Sequence, residues 1–277
     1  MTLATSVNLK PNWPVILFMA GVHLLALLAL LPSNFSWSAV CLMLVMHFVT
    51  GCLGVTLGFH RLVTHRSFQA PKWLEYILVF FGSLAVQGGP IEWIGLHRHH
   101  HAYSDHDVDH HSSTKGFFWS HMVWMFYDVP AKQEIPRFTK DISSDPVYVF
   151  LENYFLLVQL ALAVVFYLLG GWPFVIWGIF VRLVTVYHIT WFVNSATHKF
   201  GYRSHESGDR STNCWWVALL AFGEGWHNNH HAYQYSARHG LEWWEIDVTW
   251  MIIQLLAALG LATKIKLPPT LQNSKSV

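Results

Sequence analysis

Four long apolar stretches restrict the folds open to this 277-residue chain more than any other feature. A helix that crosses a bilayer needs about 20 mainly apolar residues, and the stretches run over Val15–Leu31, Trp37–Phe59, Phe150–Leu169 and Pro173–Val193. The short sequences PSNFS and LGGW join them in pairs. Only 12% of the residues are charged, against about 25% in ordinary soluble domains. The sequence therefore predicts an all-α integral membrane protein with four transmembrane helices in two hairpins.

Two further apolar segments are less suited to crossing a bilayer. Leu74–Leu96 is interrupted by glycines, by Pro90 and by Glu92, so we expect it to lie in the interface or to dip back out. Trp250–Ala262 is too short for a comfortable span. These segments leave four crossings as the prediction.

The distribution of positive charge predicts the sidedness. Neither hairpin loop contains Lys or Arg, and cytoplasmic loops are rich in these residues. We therefore expect both termini and a histidine-rich helical cap on the cytoplasmic side. Arg182 lies inside the fourth stretch, where a central Arg costs about 2.5–3.5 kcal/mol, so it should snorkel or have a polar partner. The basic residues on the predicted cytoplasmic side are Arg61, Arg66, Lys72, Arg98, Lys115, Lys132, Arg137, Lys140, Lys199, Arg203, Arg210 and Arg238.

Net charge and cysteine usage exclude other classes. A formal net charge of +1 gives no field that would favour nucleic acid as a partner. Cys41, Cys52 and Cys214 are scattered, without the spacing of a zinc site or a disulfide framework. We expect them to be small buried apolar residues.

The most informative polar feature is the recurrence of histidine boxes. Each residue of an α-helix turns by about 100°, which places His97, His100 and His101 of HRHHH on one face and His99 away from it. In HNNHH the same face carries three further histidines, and the two asparagines point off it. The box histidines there are His227, His230 and His231.

Two other pairs carry similar chemistry. His60 and His65 in HRLVTH are five residues apart, about 140° around an ideal helix, so they converge only if the second span ends between them. Asn194 and His198 are four apart and share a face. The remaining histidines are more typical of hydrogen-bonded helix residues or of positions off the shared faces; they include His23, His47, His188, His106, His110 and His121.

Eight box histidines are more than one ion binds, so two ions are predicted. Imidazole suits Zn, Cu, Fe and Ni, and the absence of a nearby cysteine argues against a closed structural zinc site. Asp105, Asp109 and Glu224 are placed to accept N–H bonds from ligating histidines, whereas Asp107 equally fits a solvated loop. The pattern indicates a catalytic centre, and iron with positions open to oxygen fits it.

The boxes H-x4-H, H-x2-HH and H-x2-HH, in this order around two hydrophobic hairpins, resemble those of the membrane fatty acyl desaturase family. The flanking sequences GFHRLVTHRSF, EWIGLHRHHHAYSDHDVDHHS, TWFVNSATHKFG and FGEGWHNNHHAY are similar to the Δ9 branch, and SARHGLEWWEIDVTW to its cyanobacterial and plant members. The resemblance covers approximately Trp13 to Ala262. It implies one desaturase domain over 1–277, with a core at 14–262 between tails at 1–13 and 263–277.

The resemblance also implies a site. In the family a di-iron centre uses O2 as co-substrate, and Asn194 matches an asparagine that reaches a metal through water. Gln87, Trp93, Thr190 and Trp191 match positions that shape a bent acyl tunnel. By match, the metal ligands are His60, His65, His97, His100, His101, His198, His227, His230 and His231.

Departures from the family pattern bear on the substrate. Animal acyl-CoA desaturases carry basic residues that clamp CoA where this chain has Gly95-Leu96 and Tyr127-Asp128. A membrane glycerolipid is thus the expected carrier of the acyl chain, with an acyl-CoA Δ9 desaturase as the alternative. His227 in place of Gln argues against a fused cytochrome b5, so electrons should come from a separate carrier, by resemblance ferredoxin.

Other functions remain open from the residues alone. A hydroxylase or ketolase of the same histidine-box superfamily would share the metal centre and differ only in product. A membrane haem or metal-transport protein would place histidines within the spans, whereas these boxes lie just beyond the span ends. If the source is cyanobacterial, the expected location is the plasma or thylakoid membrane.

Overall fold

The structure, a computed structural model, describes residues 9–272, except for the side chains of Thr270 and Gln272. Within that range the protein is helical and forms no β-strand, only isolated bridges such as Gln69 with Thr263. The α-helices are α1 Trp13–Ala26, α2 Trp37–His47, α3 Lys72–Ser83, α4 Pro90–Tyr103, α5 Phe117–His121, α6 Ala131–Phe138, α7 Pro146–Val175, α8 Arg182–Ser195, α9 Trp215–Leu220, α10 His227–Ala232, α11 Val248–Ala258 and α12 Pro269–Gln272.

Further helical segments of other types complete the fold. Two of them, Phe48–Thr64 and Ile176–Val181, are π-helical and continue α2 and α7 without a break. The others are 3₁₀ helices at Leu27–Leu30, Pro32–Asn34, Ser113–Lys115, Val123–Phe126 and Ala196–His198.

Three continuous helical stretches within residues 9–272 are long and apolar enough to cross a membrane. They are Trp13–Leu30, Trp37–Thr64 and Pro146–His198. Large apolar side chains such as Leu160 and Leu168 are exposed along the third, as expected for a surface that faces lipid. The protein is therefore membrane-associated and all-helical over the described residues.

The third stretch contains a sharp break at Gly170 and Gly171. Gly171 has φ +65°, a left-handed conformation that glycine adopts without strain. A side chain atom placed at Gly178 would meet the ring of Phe166 at 2.9 Å, whereas twelve residues of straight helix span about 18 Å. The chain thus reverses at the predicted LGGW loop. Four crossings in two hairpins remain the prediction that this geometry favours.

The second stretch differs from the sequence prediction at its end. We predicted that it stops at Phe59, but the helix continues to Thr64. Its π-helical part packs closely on α3, because a Cβ at Gly54 would lie 2.4 Å from the backbone nitrogen of Gly82. Small residues allow this approach of two backbones.

The less apolar segments do not form long spans in the described chain. Leu74–Leu96 is divided between α3 and α4, and α11 has 11 residues. Arg182 is fully buried and does not snorkel: its guanidinium donates to the carbonyl oxygens of Gly178 and Leu84, each at 2.8 Å. Of the two expectations for Arg182, the polar partner is the one found.

The expectation for the cysteines was partly wrong. Cys52 and Cys214 are buried, as predicted, but Cys41 is exposed on α2. Because α2 is part of an apolar stretch, an exposed small thiol there faces the same surroundings as its exposed apolar neighbours. All three thiols are free.

Candidate metal centre

The three histidine boxes and His198 converge in the structure into two groups. In each group the candidate ligand atoms lie within 4.8 Å of one another. We call the first the five-histidine group; its members are His60, His65, His97, His101 and His230. The second, the four-histidine group, consists of His100, His198, His227 and His231.

The α-helical boxes serve both groups. On α4, His97 and His101 are one turn apart with Nε2 atoms separated by 3.0 Å, and they join the five-histidine group. His100, between them on the same face, points into the four-histidine group. On α10, His230 and His231 divide in the same way. One helix face therefore contributes to both histidine groups rather than to one.

The HRLVTH box converges at the end of the second helical stretch. We expected His60 and His65 to meet only if the helix ended between them, and it ends at Thr64, with His65 as the cap residue. The π-helical form of this end was not predicted: the N–H of His65 donates to the carbonyl of His60 at 3.1 Å. This i to i+5 bond places residues five apart one above the other, and their ring centroids are 4.7 Å apart.

Carboxylates fix three members of the four-histidine group. The Nδ1 atoms of His100 and His198 lie 3.0 Å and 3.1 Å from carboxylate oxygens of Asp109 and Asp105. Asp209 bonds Nδ1 of His231 in the same way. These contacts leave Nε2 of each ring as the ligand atom and hold the ring in place.

The charge of these acids is secured by the histidines that they contact. Burial alone favours the protonated acid, but the charges and the hydrogen bond of His100 hold the pKa of Asp109 well below its usual range. Hydrogen bonds from His198 and His231 likewise lower the pKa of Asp105 and Asp209 against the effect of burial. The three carboxylates are therefore ionised at neutral pH.

One carboxylate serves the five-histidine group. Glu224 Oε2 lies 2.7 Å from Nδ1 of His60 and 3.1 Å from Nδ1 of His239. The fully buried Arg61 donates to Glu224 at 3.1 Å and to Asp247 at 2.9 Å. Paired and hydrogen-bonded on both sides, this guanidinium meets the requirement for a buried charge.

The donor set fits metal ions. Several ring nitrogens that face the centres of the groups are buried and have no hydrogen-bond partner, which is costly unless another ligand satisfies them. They include His65 Nε2, His100 Nε2 and His231 Nε2. Burial and the neighbouring imidazoles hold the pKa of His97, His101 and other group members well below 6.5, so they are neutral, as metal ligands must be.

Two cavities meet beside the five-histidine group. The larger, of about 460 Å³, runs from Phe18 of α1 to the cluster, and the smaller, of about 60 Å³, continues past His60 to His47. Both are lined mainly by apolar side chains. The lining residues that they share are Trp93, His97, Thr190 and Asn194.

The predicted tunnel residues stand around this junction. Gln87 donates to Thr190 at 3.0 Å and accepts from the indole N–H of Trp93 at 3.1 Å. Gln87 and Trp191 line the larger cavity, and Asn194 lines both. The structure therefore brings the predicted tunnel residues together next to His97.

Comparison with known proteins shows the family. A model of the fatty acid desaturase family matches residues 34–261. The chain belongs to the fatty acid desaturase family. It is 65% identical to an sn-1 stearoyl-lipid 9-desaturase of Anabaena variabilis, over 96% of this chain and 98% of that protein.

Two more distant relatives differ in their named substrates. An sn-2 palmitoyl-lipid 9-desaturase of Nostoc sp. (strain 36) is 51% identical over 93% of this chain and 91% of its own. An acyl-CoA C20 Delta5-desaturase of Anemone leveillei is 46% identical over 94% and 83%. Because the chain belongs to this family, the protein is an enzyme. The haem and metal-transport alternatives are set aside.

The other histidines of the desaturase lie outside the two groups. His99 is buried against Tyr103 and Phe138, away from the ligand face as predicted. His106 is exposed. The ring centroids of His111 and His100 are 4.2 Å apart. Burial, and after it the charge of His100, lowers the pKa of His111 to about 3.

Several contacting residues escaped the sequence argument. Asp209 and His239 lie in loops without a spacing that marks them, and His47, treated as an ordinary helix residue, lines the smaller cavity. Asn228 and Asn229 were predicted only to point off the ligand face. Asn228 accepts from two backbone N–H groups of the loop that follows α8, and Asn229 donates to the carboxylate of Glu245.

Proposed function

We propose that this desaturase introduces a cis double bond at Δ9 of an acyl chain esterified in a membrane glycerolipid. The observation that carries this proposal is the passage, formed by the two mainly apolar cavities, that runs past the five-histidine group. A passage of this kind presents one part of a long chain to the metal centre and holds the remainder on either side. Named lipid 9-desaturases at 65% and 51% identity support the position and the carrier.

The ligand assignment is part of the proposal. Each of the two histidine groups would hold one iron ion, which makes nine histidine ligands in all. Asn194 would reach the centre through a water molecule. When bound, the irons supply the power to oxidise an unactivated methylene with O2. The overall reaction takes two hydrogens from the chain, two electrons from an external donor and two protons, and reduces one O2 to two water molecules.

The side chains at the junction determine which carbons react. All methylenes of a saturated chain are chemically alike, so position follows from distance along the passage. The hydrogen bonds of Gln87 with Thr190 and Trp93 fix the walls where the two cavities meet. Apolar lining keeps water away from the reacting carbons.

The rim of the larger cavity favours a lipid over acyl-CoA. Lys132 lies at this rim, but Glu92 pairs with it at 2.7 Å. Asp128 accepts from Asn12 at 2.9 Å near the start of α1. Lys132 is the one lysine or arginine among the described residues that line the larger cavity, and its pairing with Glu92 makes it less available to a CoA phosphate. Exposed apolar residues of α1 and α7 line the same cavity. We therefore propose lateral entry of the acyl chain from the bilayer.

The proposed function also includes the topology, the location and the electron donor. We propose four crossings, with the histidine groups and both termini on the cytoplasmic side, in a plasma or thylakoid membrane if the source is cyanobacterial. Electrons would come from ferredoxin, with no fused cytochrome b5. The chain would act as one desaturase domain, with its core at 14–262.

The test is expression of the protein with a ferredoxin reducing system in a host without monoenes. Double-bond position is then determined in each lipid class and at each sn position. A cis Δ9 monoene in glycerolipids before it appears in acyl-CoA supports the proposal. A hydroxylated or ketonic product, or no new double bond although two irons are bound, contradicts it.

A further inference from the structure

The loop that follows the last 3₁₀ turn after α8, at 199–210, forms a basic surface. Its exposed charged residues are Lys199, Arg203, Glu206 and Arg210. Glu206 is the single exposed acid among them and lies 3.9 Å from Arg203. Asp209 is also in the loop, but its carboxylate is occupied by His231 and two serine hydroxyls. We call 199–210 the basic loop; its exposed side chains carry net positive charge.

The basic loop is connected to the four-histidine group at three points. The backbone N–H of Arg210 donates to Asp105 at 2.8 Å, and the same carboxylate oxygen holds His198 at 3.1 Å. Asp209 of the loop bonds His231 directly. The path from the protein surface to two candidate metal ligands is therefore one or two hydrogen bonds long.

The third connection runs through α10. The side-chain oxygen of Asn228 accepts from the backbone N–H groups of Ser204 and His205 at 2.8 Å each. Its amide nitrogen donates to the carbonyl of His205 at 3.0 Å. Asn228 is fully buried and directly follows His227 in the chain. The loop is thus held firmly against the helix that carries a third member of the group.

The five-histidine group faces a different part of the protein. His60 and His97 line the two cavities, which His227 is the one member of the four-histidine group to reach. No hydrogen bond within residues 9–272 joins a member of the five-histidine group to the basic loop. One side of the centre therefore faces the acyl chain, while the other side faces a charged protein surface. Electrons delivered at the basic loop would reach the four-histidine group first.

We propose that the basic loop is the docking surface for an acidic one-electron carrier protein. This inference rests on the proposed function, which requires two external electrons per double bond. A carrier that delivers one electron at a time must bind and leave twice in each turnover. Charge-steered association gives the fast encounter and easy release that this requires, and a cationic loop selects an anionic partner.

The test measures binding of a purified acidic plant-type [2Fe–2S] ferredoxin to the desaturase in nanodiscs of uncharged lipid. The variant Lys199→Glu/Arg203→Glu/Arg210→Glu is expected to raise the Kd by at least about 10-fold at low salt and to flatten its dependence on ionic strength. Binding needs no turnover, so this readout is independent of activity. The rate of reduction of the metal centre by ferredoxin should fall in parallel, while reduction by dithionite stays unchanged.

In a matched control, three exposed lysines outside the loop are replaced by glutamate: Lys140, Lys264 and Lys266. The fold-increase in Kd should be less than half of that in the triple variant. Arg210→Gln alone guards against misfolding, because only the backbone N–H of Arg210 bonds Asp105; it should weaken binding by a few fold. Equal Kd values for the wild type and the triple variant would overturn the proposal. So would a triple variant that keeps its ferredoxin affinity but loses affinity for anionic lipid vesicles.

The two proposals fail in distinguishable ways. If the wild-type protein makes Δ9 monoenes with ferredoxin but the triple variant binds and accepts electrons equally well, only the docking surface is wrong. If the wild type makes no monoene with any donor, the proposed function is wrong.

Discussion

The five-histidine and four-histidine groups draw on the same helices but are held in different ways. Three members of the four-histidine group have a carboxylate on Nδ1. In the five-histidine group only His60 has one, and the Nδ1 atoms of His101 and His230 are buried without a hydrogen-bond partner. A carboxylate orients an imidazole and raises its basicity as a ligand. If each group holds one ion, as proposed, the ion of the four-histidine group would be held by oriented rings and that of the five-histidine group by rings that are less constrained.

The largest expected effect comes from removing one ligand of each group. His227→Ala and His230→Ala should each abolish desaturation and lower the bound metal by about one ion per chain. Metal analysis of purified protein and fatty-acid profiling check both variants. His106→Ala, at an exposed position, is the control and should match the wild type. Full metal content in either ligand variant would contradict the assignment of one ion to each group.

The next effect concerns the acids behind the anchored group. Asp109→Asn should weaken metal binding by about 10–100-fold, because His100 loses the charge that fixes its ring. The matched control is Asp107→Asn, whose carboxylate is exposed. Titration with Fe(II) under anaerobic conditions measures the difference. Equal affinities for the two variants would mean that the carboxylate does not distinguish the groups.

Acidification of the metal-free protein should destabilise it through its buried histidines, which include four members of the five-histidine group and His227 and His231 of the four-histidine group. Burial lowers the pKa of His65, His97, His101 and His230 well below 6.5, so below that pH the unfolded chain binds more protons than the folded one. Stability is therefore present above about pH 6.5 and falls as the pH drops, by up to about 1.4 kcal/mol per pH unit for each group. Thermal unfolding between pH 7 and 5 measures the slope.

The control for the dependence of stability on pH is the variant His97→Asn, which removes one titrating ring. Its stability should depend less steeply on pH than that of the wild type. The depressed pKa values of Asp105, Asp109 and Asp209 act in a lower window, because their contribution is lost only below the usual carboxylate range near 4. A slope that is unchanged in His97→Asn would contradict the assignment.

The smallest effect on activity is expected at His99, which shares the box but neither group. His99→Ala should retain activity and metal content close to those of the wild type. It should still cost about 1–3 kcal/mol of stability, because the buried ring packs on Tyr103 and Phe138. Loss of metal in this variant would show that the helical-face argument is wrong.

Regular helices made much of the site predictable. Because α4 and α10 are α-helical, the i, i+3, i+4 pattern identified the histidines that face the centre and the one that does not. The pattern did not predict that each face divides between two groups. That division depends on where the helices lie relative to one another, which a one-dimensional period does not contain.

The remaining differences have equally local causes. The helix ends between His60 and His65, as their convergence required, but its π-helical form cannot be predicted from a pattern that assumes 100° per residue. Asp209 and His239 reach the centre from irregular loops, where no periodicity relates position to direction. The break at Gly170-Gly171 was visible in the sequence as LGGW, and the chain does reverse there.

The π-helical geometry at His60 gives the box spacings a further use. Two histidines stacked on successive turns stand four apart on an α-helix and five apart where the bonds run from i to i+5. The number of residues between the two histidines therefore indicates whether the helix that carries them is α-helical or π-helical. An engineer who moves this half of the site onto an ideal α-helix must shorten HRLVTH by one residue to keep both rings in place.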